Sequence, residues 1–167
     1  MTMPLTPRQE IWRGLLHGQR SMLLRLGADL KRDFDLSLAQ YEALLALFQS
    51  PGRSLSATGL ARELLYSSGS ATHLMRRLSE RGLVRRSVDA EDARTHRVHL
   101  TEAGADLIER ATASHVAALA EQFEPLIADA DVPALLGFAR AIAAHEGVRS
   151  APPLAEPGVA ESRDGTG

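Results

Sequence analysis

Residues 55–100 read LSATGLARELLYSSGSATHLMRRLSERGLVRRSVDAEDARTHRVHL. Ser56 stands before a short run carrying Leu60, Leu64 and Leu65, and is expected to cap a helix over 57–64, because a serine hydroxyl can accept from the amides at a helix start. Residues 66–70, Tyr-Ser-Ser-Gly-Ser, form a turn, with Ser67 or Ser68 placed to cap a second helix that runs to about Arg81. Leu74, Met75 and Leu78 give this helix a one-sided apolar stripe. Gly82 is its stop, since glycine enters the left-handed conformation without a Cβ penalty. Residues 83–87 have room for one short strand, and 97–100 alternate as another. The polar and charged residues 88–96 between them predict a projecting hairpin.

Helix, turn, helix and charged hairpin in this order are a winged helix-turn-helix, which sets one helix into the major groove of DNA. Such a helix needs small polar residues near its N-terminus for base edges and basic residues on its flanks for phosphates. Ser67, Ser68, Ser70, Thr72 and His73 suit the first task, and Arg76 and Arg77 the second. Arg94 stands at the hairpin tip, where a guanidinium can enter the neighbouring minor groove. Arg97 and Arg86 can reach the backbone or brace Asp89 and Asp92. The net charge of −2 argues against nucleic acid at first sight. Between Arg53 and Arg97, however, nine arginines face five acids. Phosphates feel that local surplus, because salt screens charges beyond roughly 8–10 Å.

Around this stretch the chain reads as helical scaffold. Residues 1–8 carry two prolines and are expected to be a loose arm. Over 9–34, Ile11, Leu15, Leu16, Met22, Leu23, Leu26 and Leu30 recur at helical spacing, and a helix of that length, about 37 Å, suggests contacts with a partner chain. Ser37 caps a helix expected over 38–49, ended by Ser50-Pro51-Gly52. Thr101 caps another, with Glu102 and Asp106 near its positive end, running to about Phe123. Asp131-Val132-Pro133 starts a last helix, whose Leu135, Leu136, Phe138 and Ile142 share a face. Residues 150–167, rich in proline, glycine and charge, are expected to be a disordered tail. The fold class is therefore mainly α with a small β-hairpin wing.

Several function classes are excluded. The chain has no cysteine, so disulfides, cysteine-ligated zinc and thiol nucleophiles are out, which is compatible with a cytoplasmic location. No apolar run reaches the roughly 20 residues of a membrane span, and no secretory signal pattern opens the chain. Catalytic motifs are absent. His96 and His99 would point to opposite faces of a strand, which is poor geometry for one metal ion. No enzyme activity, cofactor or metal is expected.

Leu60-Ala61-Arg62-Glu63-Leu64, the run 72–83 ending Arg81-Gly82-Leu83-Val84, the wing Asp89-Ala90-Glu91-Asp92-Ala93-Arg94 and Leu100-Thr101-Glu102-Ala103-Gly104 together resemble the MarR family of bacterial transcription regulators, from about Ile11 to His145. The resemblance implies one MarR-like domain over 9–149, with a DNA-binding lobe at 38–100 and dimerisation helices at 9–34 and 102–147. It implies an interleaved homodimer reading a palindromic operator as a repressor released by a small ligand. Three positions depart from the pattern. Relatives often carry arginine where this chain has Ser68, a long polar residue where it has His73, and a second arginine where it has Ala93. Fewer cationic contacts imply weaker phosphate binding and a flatter salt dependence. A winged-helix protein-interaction module with weak or no DNA binding is the alternative reading.

Members of this family commonly respond to small aromatic or anionic compounds. Trp12 and Tyr41-Glu42 are similar to the subgroup that responds to urate and phenolic ligands, with Glu42 as the acid and Arg85 or Arg86 as the arginine. His17 and His115 could line the same cleft. Trp12, Glu42, Arg86 and His115 are thus the candidate effector residues, with plain dimer-core packing as the other explanation of Trp12.

Overall fold

The computed structural model describes residues 4–64, 68–88 and 96–147. The first helix, α1, spans Pro7–Phe34. It begins two residues before the sequence-based expectation. Thr6 accepts from the Gln9 amide at 3.4 Å while its own amide donates to Gln9 Oε1 at 2.9 Å. Pro7 then occupies the first helical position, where its missing N–H costs nothing and its fixed φ suits the helix. The prolines that suggested a loose arm include the one that starts the helix.

Ser37 builds the same reciprocal box at the start of α2, Leu38–Gln49, with Gln40. Tyr41, Ala43, Leu44 and Leu47 of α2 are buried, and α2 forms the centre of the core. The chain then enters a three-residue strand, β1, Ser54–Ser56. Ser56 caps α3, Ala57–Glu63, as its spacing predicts, by accepting from the Gly59 amide at 3.0 Å. Helix α4 is Ser68–Glu80. Of the two residues expected to cap it, the side chain of Ser68 and the whole of Ser67 lie outside the described residues.

Gly82, at φ 69°, ends α4 in the left-handed region. The Gly82 amide returns to Ser79 O at 2.9 Å and the Leu83 amide to Leu78 O at 3.0 Å, which satisfies two terminal carbonyls. Strands β2, Val84–Val88, and β3, His96–Leu100, pair antiparallel. β1 adds to the other edge of β3, with Leu55 opposite Val98, giving the order β1-β3-β2. A two-stranded wing was expected; the third strand is too short for an alternation to show in sequence. The wing tip with Arg94, and the tail 150–167, lie outside the described residues.

Thr101 caps α5, Glu102–Gln122, by accepting from the Gly104 amide at 3.1 Å. Its hydroxyl lies 2.8 Å from Gly82 O and 3.0 Å from Leu83 O, so the same residue binds the end of the α4 turn to the start of α5. The described residues divide into one compact unit up to Glu124 and a second from Pro125. In the first, the core gathers Leu30, Leu36, Leu44, Leu47, Leu60, Met75, Leu78, Val98 and Ile108, each at most 2% exposed. The second contains α6, Val132–His145, with Pro133 in its first turn and no side-chain cap from Asp131.

Candidate nucleic-acid interface

Helix α4 separates its faces cleanly. Ala71, Leu74, Met75 and Leu78 are buried, at the one-, three- and four-residue steps that hold one side of a helix in a core. Ser70, Thr72, His73, Arg76 and Arg77 are all exposed on the opposite side. The sequence-nominated residues of α4 therefore share a solvent-facing surface; the side chain of Ser68 is outside the described set. Small polar groups lie in its first two turns and the arginines follow, the order that a groove-reading helix requires.

This face has internal structure that sequence reading missed. Arg76 forms an ion pair with Glu80 one turn on, and its other guanidinium nitrogen lies 3.3 Å from His73 Nδ1. The four-residue spacing of Arg76 and Glu80 was the available signal. Arg86, nominated for an effector site, instead donates from β2 to the carbonyl of Thr72 at 3.3 Å, bracing the first turns of α4. Arg97 donates to the buried Ser54 hydroxyl at 3.1 Å, tying β3 to β1. Beside it, Ser87 Oγ and His99 Nε2 are 2.7 Å apart across the β2–β3 ladder.

The four candidate effector residues are not gathered in one place. A cleft of about 270 Å³ lies between the second half of α1 and α5, lined by Met22, Arg25, Leu26, Phe34, His115 and Leu119 among others. Only His115 of the four belongs to it. Trp12 is 60% exposed and precedes Met22, the first cleft residue on α1, by ten residues, about 15 Å of helix. Glu42 is half-buried on α2, and Arg86 belongs to β2, against α4. The His115 ring meets Tyr41 edge-on, with centroids 6.1 Å apart, and burial lowers its pKa, favouring the neutral imidazole. Tyr41 in turn has its hydroxyl 3.4 Å from Thr112 Oγ1, and burial raises its pKa.

A three-stranded wing base, two helices that follow closely in sequence, α3 and α4, and an exposed polar-then-basic helix face define a winged helix-turn-helix of the DNA-binding class. The family model for the MarR family matches residues 34–95. Over nearly the whole chain the structure is similar to AbsC, a MarR family transcriptional regulator from Streptomyces coelicolor. The two are 30% identical, with a TM-score of 0.77, covering 89% of this chain and 100% of AbsC. Sco3205, a MarR family regulator of the same organism solved in complex with DNA, is 26% identical with a TM-score of 0.76, over 90% of this chain and 93% of its own. The organic hydroperoxide resistance transcriptional regulator of Bacillus subtilis (strain 168) is 34% identical over 77 residues, 46% of this chain; the match spans about half of that relative, 51%. The chain belongs to the MarR family of DNA-binding transcriptional regulators.

Proposed function

We propose that the protein works in the cytoplasm as a homodimer that holds two α4 helices in successive major grooves of a palindromic operator, and represses until a small aromatic or anionic ligand releases it. The exposed face of α4 carries the reading. Ser70, Thr72 and His73 are positioned for base edges, and Arg76 and Arg77 for phosphates on either side. That the similar regulator Sco3205 was solved in complex with DNA supports a DNA-bound state for this chain.

Dimerisation is supported by apolar side chains left in water. Ile11, Trp12, Leu15 and Leu16 on α1 are each more than two-fifths exposed. Within the second unit, Leu135, Leu136 and Phe138 of α6 are exposed to a similar degree. A monomer seldom leaves so many large apolar groups on single helix faces, whereas a second copy would remove them from water.

The α1–α5 cleft is the proposed effector site. Its walls are mainly apolar; Asp29 and Asp33, which also line it, are paired with Arg32, and Arg25 and His115 could meet an anionic group. The name of the Bacillus subtilis relative concerns organic hydroperoxides, but this chain has no cysteine, and a thiol response to peroxide is chemically closed to it. A reversibly bound ligand is the reading that its residues support.

A mobility-shift titration with the DNA upstream of the protein's own gene tests this reading, repeated at increasing salt and with a panel of phenolic acids and purines. The expected result is a salt-sensitive shift that one of these compounds reverses. Absence of a salt-sensitive shift on any palindromic duplex would overturn the operator reading, and a shift that no compound reverses would overturn the effector reading.

A further inference from the structure

The ends of α1 and α4 meet through one side chain. α1 stops at Phe34, Asp35 adopts the left-handed region at φ 52°, and the amide of the fully buried Leu36 returns to Leu30 O at 3.1 Å. The last carbonyls of a helix have no donor from a following turn. Arg81, the first residue after α4, reaches the last of them and the carbonyl of the residue that follows. Its Nη1 donates to Asp35 O at 2.7 Å and its Nη2 to Phe34 O at 3.4 Å. The guanidinium also lies 4.0 Å from the Asp35 carboxylate. Its side chain is 31% exposed, against 57% for Arg76 on the open face.

The arrangement has clear chemistry. A planar fork can span two successive carbonyls, which an ammonium does less well. A cation at the negative end of the α1 dipole is favoured. Gly82 and Leu83 fold the α4 terminus back on itself and so fix the backbone that carries Arg81. At the other end of α4, Arg86 holds the carbonyl of Thr72. The helix is thus held near its start by the wing and at its end by α1, and Phe34 is at the same time a wall of the α1–α5 cleft.

We propose that Arg81 is a positioning residue that ties the recognition helix to the end of α1, so that movement of α1 at Phe34 changes how α4 meets DNA. The tether stands on these contacts; its use as a relay from the cleft rests on the effector reading above.

Hydrogen–deuterium exchange on the full chain tests it, with and without a duplex selected from random DNA by the wild-type protein. Binding of that duplex is expected to slow exchange in α4 and also at residues 31–36. Arg81→Ala should keep the slowing in α4, lose it at 31–36, and weaken binding about five- to tenfold, the range of a modest coupling. Arg81→Lys should restore part of both effects. Asp35→Asn should leave both intact, because the carbonyl stays and asparagine tolerates the left-handed conformation. The tether is overturned if Arg81→Ala retains the slowing at 31–36 with wild-type affinity, if Arg81→Lys behaves as Arg81→Ala, or if Asp35→Asn reproduces the loss. Should Arg81→Ala fail to fold, Arg81→Gln is read by the same criteria. No effector enters the measurement, so a failed ligand panel and a failed tether give separate results.

Discussion

A Cβ placed on Gly104 would lie 2.2 Å from the carbonyl oxygen of Leu83 and 2.9 Å from Leu100 Cδ1. The glycine of the Leu-Thr-Glu-Ala-Gly run is therefore required by close packing of α5 on the turn after α4, at a position where the obstacle is backbone and cannot swing away. Gly104→Ala should destabilise the fold by roughly 1–3 kcal/mol, read as a lower thermal midpoint; an unchanged midpoint would contradict this packing. At the same scale, Glu80 competes for Arg76 with any phosphate that approaches. An exposed pair of this kind is weak, so phosphate can displace it, but at some loss of affinity. Glu80→Gln is expected to tighten DNA binding severalfold at low salt, with the gain fading as salt rises. In an Arg76→Ala background the same substitution should gain much less. An equal gain in both backgrounds would mean that Glu80 acts only through net charge.

Among the elements, those with chemical punctuation were readable in advance. Ser37, Ser56 and Thr101 were each expected as N-caps, and each accepts an amide three residues on. Gly82 was expected as a stop and adopts positive φ. These signals are local, so sequence carries them directly. Thr101 does more than cap, since its hydroxyl also meets the carbonyls of Gly82 and Leu83. Thr101→Ala should lower stability by about 1–2 kcal/mol, seen as a shifted denaturant midpoint with unchanged slope; no shift would mean that the cap is redundant. β1 was not legible, because three residues show no period and its existence depends on pairing with β3, more than forty residues later. The start of α1 falls inside the expected loose arm for a different reason: Pro7 stands at the first helical position, where proline starts a helix.

For the whole molecule, charge and apolar surface point the same way as the family. The total is −2, yet the exposed face of α4 is polar and basic, so charge distribution rather than net charge supports contact with DNA. The exposed α1 face predicts self-association. The protein is expected to sediment at about twice 18.0 kDa at micromolar concentration, and Leu16→Glu should shift it toward monomer by placing a charge in the shared face. A clean wild-type monomer would remove the dimer reading.

The order of helices, the caps at Ser37, Ser56 and Thr101, the buried stripe of α4 and the polar-then-basic series on its other side were determined by sequence alone, because each depends on residues within a few turns of one another. The effector candidates show the opposite case. Trp12, Glu42, Arg86 and His115 had the right chemistry, but whether such residues share a cavity depends on how distant elements pack, and only His115 lines the α1–α5 cleft. Tertiary structure alone also gave Arg86 to the carbonyl of Thr72, Arg97 to Ser54, and Arg81 to the end of α1. A long guanidinium can reach many acceptors, and only the fold decides which of them comes within hydrogen-bond distance.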